Sequence, residues 1–559
     1  MKLIRAILCT IFIATGITAT VAAENIDSQK SDVPPLVVVF PKSNIDFNPI
    51  HAFTSTEAQL YTALYEGLVS YNPLNLEPLP GVAESWDISK DGTTYTFHLR
   101  KGATYWNGQP VTAQDFRNTW LHLLDPKVKA EYSFLLDSIV GAKAYRLGET
   151  NDPDSVGIKA VSPDVLEVKL EHPASQFLKI LCHYSFVPIP SNYLDRESWK
   201  DQSVIPGNGP FYVLKHTADE IDLTKNNLYW DAENVDVNEI KIILTDDSEK
   251  VTKMFDSGEI QWATGSVQWN KVHDQRSIMV NPLFATSYFF FRAVDIPWNN
   301  PDVRRALALL LPWDKIRQDS PLYIPTSTLV PKFDSYPDVT GITKPNSQEA
   351  MSLLAKAGYP AGRGLPSVTV AIPNDPESKR IADIMAASWE SAIGLTVKVE
   401  AVPYPNYYKR IETGQYTLAT TTWIGDFADP LTFLQMWTSD SNLNDGGYRN
   451  PAFDLKVHNS MSQSEPERYK TLADAETILL GGAEVLPIDH SPALNLVKIA
   501  DIQGWFPNSL DIHPFKYLRF RTPDPIPGVA QSEDSRTTLD PPPNRFFGSP
   551  AGSSRGARS

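Results

Sequence analysis

The period of the apolar residues changes several times along this chain. Leu36-Val37-Val38-Val39-Phe40 is an unbroken apolar run with the length of a buried strand. Residues 94–99 and 165–170 alternate instead, and the first follows a Lys90-Asp91-Gly92 turn, so both predict half-buried strands. Residues 112–124 repeat at the helical period: Phe116, Trp120, Leu123 and Leu124 share a face, Thr112 stands at the cap and Asp115 three places on. Residues 54–65 read as a helix, and 211–214 and 240–244 as strands. Further on, Asn300 caps a helix that takes Pro301 in its first turn and runs through Leu311. Asn346-Ser347-Gln348-Glu349 opens another, stopped by Gly358 and Pro360. A strand at 368–372 leads into a helix with Ile381, Ile384, Met385 and Trp389 on one face, ended by Gly394 and followed by a strand at 395–399. Ser464 and Glu467 hold capping-box positions for a helix over 464–480. The second half therefore reads as strand–helix–strand units and the first half as an irregular mixture, an α/β to mixed α+β architecture without internal repeats.

The two ends of the chain depart from this pattern. Lys2 and Arg5 precede an almost uncharged apolar stretch at 6–21, and Val21-Ala22-Ala23 supplies small residues for cleavage after Ala23: a secretory signal peptide. From Arg521 onward, Asp524-Pro525-Ile526-Pro527, Asp540-Pro541-Pro542-Pro543 and a Gly/Ser/Arg end cannot build a core, so 521–559 is expected to be a disordered tail. At 559 residues, the chain exceeds one hydrophobic core, and two or three domains are expected.

Charge and cysteine content narrow the partners. Loss of Lys2 and Arg5 takes the formal charge from −16 to −18, with 48 basic and 66 acidic residues remaining. Such a surface repels phosphate backbones and anionic lipid heads, which argues against nucleic acid as a partner. Cys9 leaves with the signal and Cys182 remains alone, so no intramolecular disulfide forms; Cys9 lies inside the apolar stretch, so no lipid-modified N-terminus is expected. No later stretch of about 18 apolar residues predicts a membrane span. A soluble exported protein held near its cell points to the periplasm. There is no phosphate loop, no His-Glu-x-x-His, no Gly-x-Ser-x-Gly elbow and no His or Cys pair at metal-ligand spacing. Neither a metal, nor a cofactor, nor an enzymatic role is expected.

Several blocks carry more information as an ordered set: Tyr65-Glu66-Gly67-Leu68-Val69, Pro80-Gly81-Val82-Ala83-Glu84-Ser85-Trp86, Phe97-His98-Leu99-Arg100-Lys101-Gly102, Trp106-Asn107-Gly108 and Pro110-Val111-Thr112-Ala113-Gln114-Asp115-Phe116. Gly207-Asn208-Gly209-Pro210-Phe211-Tyr212, Tyr229-Trp230, residues 300–307 and Trp423-Ile424-Gly425-Asp426-Phe427-Ala428-Asp429-Pro430 follow. Together, over residues 36–520, they resemble the ABC-transporter solute-binding proteins of family 5, the oligopeptide- and dipeptide-binding proteins. The resemblance implies a bilobal periplasmic-binding-protein fold of class II with an extra inserted domain, three domains in all. Domain I would comprise 24–65, 191–289 and 491–520, domain II 66–190 and domain III 290–490. It implies capture of a peptide by closure of two lobes and delivery to a permease with its ATPase subunits, by a monomer. Members of the family that carry nickel chelates, haem, opines or oligosaccharides set the alternative, and an exported hydrolase is a further one.

The resemblance also nominates residues. In peptide-binding relatives the residue matching Asp426 pairs with the ligand's α-ammonium, whereas Asp429, before Pro430, reads as a helix cap. The edge at Trp423, Ile424 and Gly425, and the segment matching Phe53-Thr54-Ser55, pair with the ligand backbone as an added strand. Tyr404, Tyr132 and His490 match positions near ligand pockets. Oligopeptide binders often carry an Arg three residues before this Trp, and a Lys shortly before the segment matching 297–299, to hold the ligand carboxylate. Here Thr420 and Asp295 stand there, and Arg292 and Arg410 are the nearby cations.

Overall fold

The computed structural model describes residues 34–51, 54–194, 196, 199, 205–318, 323–403 and 406–521. The segment 1–23 expected to be a signal peptide, Phe53, Tyr404 and the residues from 522 lie outside the described residues.

Three larger sheets, of seven, six and four strands, order the described residues, beside two two-stranded ones. The seven-stranded sheet runs Ile278–Pro282, Pro492–Val497, Trp262–Thr264, Leu36–Phe40, Glu239–Leu244, Glu220–Lys225, Phe211–His216. Leu36–Phe40 has parallel partners on both sides. Leu36, Val38, Val39 and Phe40 are at most 1% exposed, which is why this strand is an apolar run rather than an alternation. The four-stranded antiparallel sheet, Ala83–Ile88, Thr94–Leu99, Val165–Lys169, Ile158–Ser162, has one wet face. Tyr95, Phe97 and Leu99 point inward, and the helix Ala113–Leu124 buries Phe116, Trp120, Leu123 and Leu124 completely. Thr112 and Asp115 form the capping box the sequence predicts.

The six-stranded sheet runs Ile324–Pro325, Val485–His490, Ala285–Phe291, Leu418–Ile424, Val368–Pro373, Val397–Val402. The chain crosses between this sheet and the seven-stranded one twice, each time through a connection of one or two residues. Ile278–Pro282 leads directly into Ala285–Phe291, and Val485–His490 into Pro492–Val497. A buried network ties distant segments nearby: the Glu66 carboxylate accepts from Tyr229, Trp230 and Lys516, and the Arg100 guanidinium lies 3.8 Å over the Trp230 ring. The described residues up to Phe520 form one compact unit. Among the described residues no helix is long and apolar enough to cross a membrane, and no group of three or more His, Cys, Asp or Glu is placed to hold a metal ion.

The mixed α/β architecture matches expectation, with local departures. The helix expected from Ser464 begins at Glu467, and Pro466, with no side-chain cap bond, occupies its N-cap. The strand expected at 395–399 lies at Val397–Val402. Val485–His490 contains Pro487, which argues against a strand on sequence grounds. It is accommodated where the register with Ala285–Phe291 shifts between Ser287 and Tyr288.

Candidate ligand-binding site

Two adjoining chambers open where the two large sheets meet. The first has a volume of about 490 Å³ and the second about 670 Å³. They share Leu283, Tyr323, Thr422 and Pro492, two of which sit at the strand crossings.

The strand Leu418–Ile424 supplies the first chamber with an unpaired edge. One side is covered by Ala285–Phe291 from Ile424 to Leu418. The other side pairs with Val368–Pro373 only at Leu418 and Ala419. Hydrogen bonds in an antiparallel ladder alternate. Gly425 donates to the Phe284 carbonyl, so residues 423, 421 and 419 also face Ala285–Phe291. Thr420, Thr422 and Ile424 then turn their N–H and C=O groups the other way. At Thr420 the Tyr407 hydroxyl closes the edge, accepting from the Thr420 N–H and donating to its carbonyl at 2.6 Å. Thr422 and Ile424, which line the first chamber, have no strand partner on this side among the described residues and present an open rung for an extended chain.

Asp426 follows two residues beyond that rung. Its side chain is 7% exposed. Its Oδ2 accepts from the Thr432 hydroxyl at 3.1 Å, its N–H donates to the same hydroxyl, and its carbonyl accepts from Tyr71. Gly425 permits this: a Cβ there would come within 2.8 Å of both Phe284 and Thr432, displacing the residue that holds Asp426. His183 Nε2 lies 3.9 Å from Oδ1. His183 Nδ1 accepts from the Ser185 N–H, so Nε2 carries the hydrogen, and burial lowers the ring pKa to about 3 and keeps it neutral. Tyr132 packs on His183 with ring centroids 4.3 Å apart and planes tilted by 54°, and hydrogen-bonds the Asp426 carboxyl. Among the described residues no Lys or Arg lines this chamber; its carboxylates are Asp426 and Asp511. Asp511 is already engaged, accepting from Asn495 at 2.8 Å and bonding His513 at 3.0 Å.

Burial without a cation raises the Asp426 pKa to about 7, offset in part by the Thr432 and Tyr132 hydrogen bonds. A ligand ammonium seated there would hold the carboxylate ionised. Uptake at pH 7 is therefore expected to release about half a proton, and affinity to fall about tenfold per unit below pH 7. Calorimetry in two buffers of different ionisation enthalpy checks this; a heat independent of buffer would contradict it.

The structure brings Thr54, Ser55, Tyr132, Trp423, Ile424, Gly425 and Asp426 to one chamber. Thr54 reaches the wall as the cap of the helix Ser55–Leu64, in a capping box with Glu57. His490 lines neither chamber: it hydrogen-bonds Thr286 at 2.9 Å within the sheet, and burial lowers its pKa to about 4. Asp429 does not cap a helix alone; it forms a two-pronged ion pair with Arg468, both bonds 2.7 Å, the side chains 6% and 1% exposed. Of the cations considered for a carboxylate, Arg292 pairs with Asp295 and Arg410 with Glu400, and neither lines a chamber. His183, Thr422, Tyr323 and Thr432 are the contributors that sequence reasoning missed, and none carries a local signal.

Comparison with known proteins completes the description. The profile of the bacterial extracellular solute-binding proteins, family 5 Middle, matches residues 77–445. The dipeptide-binding protein DppE of Bacillus subtilis (strain 168) is 28% identical over 457 residues, covering 79% of this chain and 84% of that protein. The periplasmic oligopeptide-binding protein OppA of Escherichia coli (strain K12) is 28% identical over 521 residues, covering 87% and 94%. Among solved structures, the Escherichia coli murein tripeptide binding protein MppA superposes with a TM-score of 0.79 at 25% identity, covering 88% of this chain and 99% of that one. An unliganded open form of MppA gives 0.59, covering 88% and 98%.

Proposed function

The chain belongs to the bacterial extracellular solute-binding proteins of family 5, and from that premise we propose that it captures short peptides and delivers them to an ABC importer. The observation that carries this reading is Asp426: a buried carboxylate without a cationic partner among the described residues, beside an open backbone rung. A charge in that position is costly until a partner arrives. A peptide's α-ammonium supplies the partner, and its backbone supplies the hydrogen bonds that Thr422 and Ile424 lack. Pairing through the backbone gives affinity without reading side chains, which suits a carrier of many sequences.

Our reading assigns domain I to 24–65, 191–289 and 491–520, domain II to 66–190 and domain III to 290–490. The two strand crossings act as the hinge. Asp426 and the open rung come from domain III, and Thr54 and Ser55 from domain I or its margin, so a ligand touching both favours closure. The weaker superposition on the open form of MppA supports a closed arrangement here. The protein would work as a periplasmic monomer, exported by its signal segment, with a permease and ATPase subunits as partners.

Native mass spectrometry of the protein purified gently from its cells tests the reading. A heterogeneous load of short peptides is expected. A chemically uniform non-peptide load would move the protein to another cargo within the family.

A further inference from the structure

The first chamber offers an ammonium a carboxylate partner and offers a carboxylate none, so the acidic end of a bound peptide must be met elsewhere. The second chamber adjoins it along the same strand, at Thr420, Thr421 and Thr422. Two arginines line it, Arg317 and Arg380, together with Asp375, Glu377 and Asp489, whose carboxylates accept from the Ser378 N–H, Arg380 and the Ser491 hydroxyl respectively. Arg380 is committed: it forks onto Glu377 with bonds of 2.6 and 2.9 Å and donates to the Lys315 and Ile316 carbonyls. Arg317 differs. Its Nε and Nη2 donate to the Pro487 carbonyl at 3.0 and 2.7 Å, and its Nη1 donates to the Ile342 carbonyl at 2.6 Å. Its carbon lies 3.9 Å over the Trp313 ring. These contacts fix the plane of the guanidinium and use three of its five N–H groups, leaving one hydrogen on each terminal nitrogen. No acidic residue among the described ones pairs with it. Burial alone lowers its pKa to about 9, so it stays a cation at neutral pH.

We propose that Arg317 receives the C-terminal carboxylate of the peptide, in the second chamber, at the far end of a ligand whose ammonium sits at Asp426. This rests on the peptide reading above. A prearranged guanidinium with hydrogens on both terminal nitrogens suits a two-oxygen acceptor better than a mobile ammonium does. The arrangement also sets a length. Asp426 lies four residues beyond Thr422, where the chambers adjoin, and two beyond the end of the strand, a span of at most about 13 Å. A dipeptide held at Asp426 does not reach the second chamber; a peptide of about four or more residues does.

Randomised pentapeptide pools, one with free C-termini and one amidated, are offered to the full-length protein after its native load has been stripped, with dipeptide pools alongside. Retention is read by native mass spectrometry. The free-acid pentapeptides are expected to be retained about tenfold or more better than the amides, and the dipeptides to show no dependence on Arg317. Arg317→Met is expected to reduce the pentapeptide ratio to less than about twofold, and Arg317→Lys, the variant to use if the Met variant does not fold, to leave it intermediate. The ratio of acid to amide is insensitive to a merely structural loss, which would lower both alike. Equal retention of acid and amide by the unaltered protein, or a ratio that survives removal of the guanidinium, overturns this inference and leaves the peptide reading standing. Retention of neither pool sinks the peptide reading itself.

Discussion

Asp426→Asn is expected to weaken peptide binding by about two to four orders of magnitude while the protein stays folded. The argument is one of unequal consequences in the free and bound states. In the free protein Asp426 has no cation beside it, only Thr432, Tyr132 and a neutral His183. An amide of the same shape keeps the Thr432 contact and removes a group whose ionisation the site penalises. In the complex the same change leaves an ammonium buried without a counter-charge, and removing one partner of a buried pair costs about 3–5 kcal/mol. Isothermal calorimetry against a pentapeptide pool measures the loss; affinity within about threefold of the unaltered protein would remove Asp426 from the site.

The stability of the free protein moves in the opposite direction. The folded pKa of about 7 lies above the ordinary carboxyl value, so between about pH 4 and 7 the folded state binds more protons than the unfolded one. The contribution of Asp426 to stability is therefore present at low pH and is lost as pH rises through 7. The Asn variant lacks that dependence and is expected to be the more stable protein above pH 7. A residue kept at the expense of stability is what a binding role predicts.

Asp429→Ala is expected to do the reverse, costing about 3–5 kcal/mol of folding stability. Asp429 stands three residues from Asp426 in the same loop, but its carboxylate meets the Arg468 guanidinium on two bonds and accepts from the Leu431 N–H. Deleting it strands a guanidinium that is 1% exposed. Urea denaturation reads the change as a lower midpoint. Replacing both partners with apolar residues of similar volume is expected to recover most of the loss, since a buried pair contributes little beyond what its own burial costs. A variant within about 1 kcal/mol of the unaltered protein would show that the pair does not anchor the loop.

These two carboxylates mark how far sequence reasoning reaches here. Local rules place the elements well where the signal is local. The Thr112 and Asp115 capping box, the helix closed by Gly394 and the apolar run at Leu36–Phe40 all form as their residue patterns predict. Local rules fail where tertiary contacts decide. Pro487 lies in a strand because a register shift accommodates it, and Pro466 rather than Ser464 heads the last long helix. In the site, the motif around Trp423 singles out Asp426 and Pro430 marks Asp429 as a cap, but the ion pair that holds Asp429 comes from Arg468, 39 residues away in the chain, and only the fold shows it. His183 and Arg317 carry no motif; the first is placed between the short helices Phe177–Leu181 and Tyr184–Phe186 and the second by the carbonyls of Pro487 and Ile342.

The central claim is that a peptide lies against the open rung with its ammonium at Asp426. A crystal structure of the protein with a bound pentapeptide tests it most directly. The account predicts the terminal nitrogen within hydrogen-bond distance of the Asp426 carboxylate and backbone hydrogen bonds to Thr422 and Ile424. A ligand nitrogen placed elsewhere, with the rung left open, would contradict it.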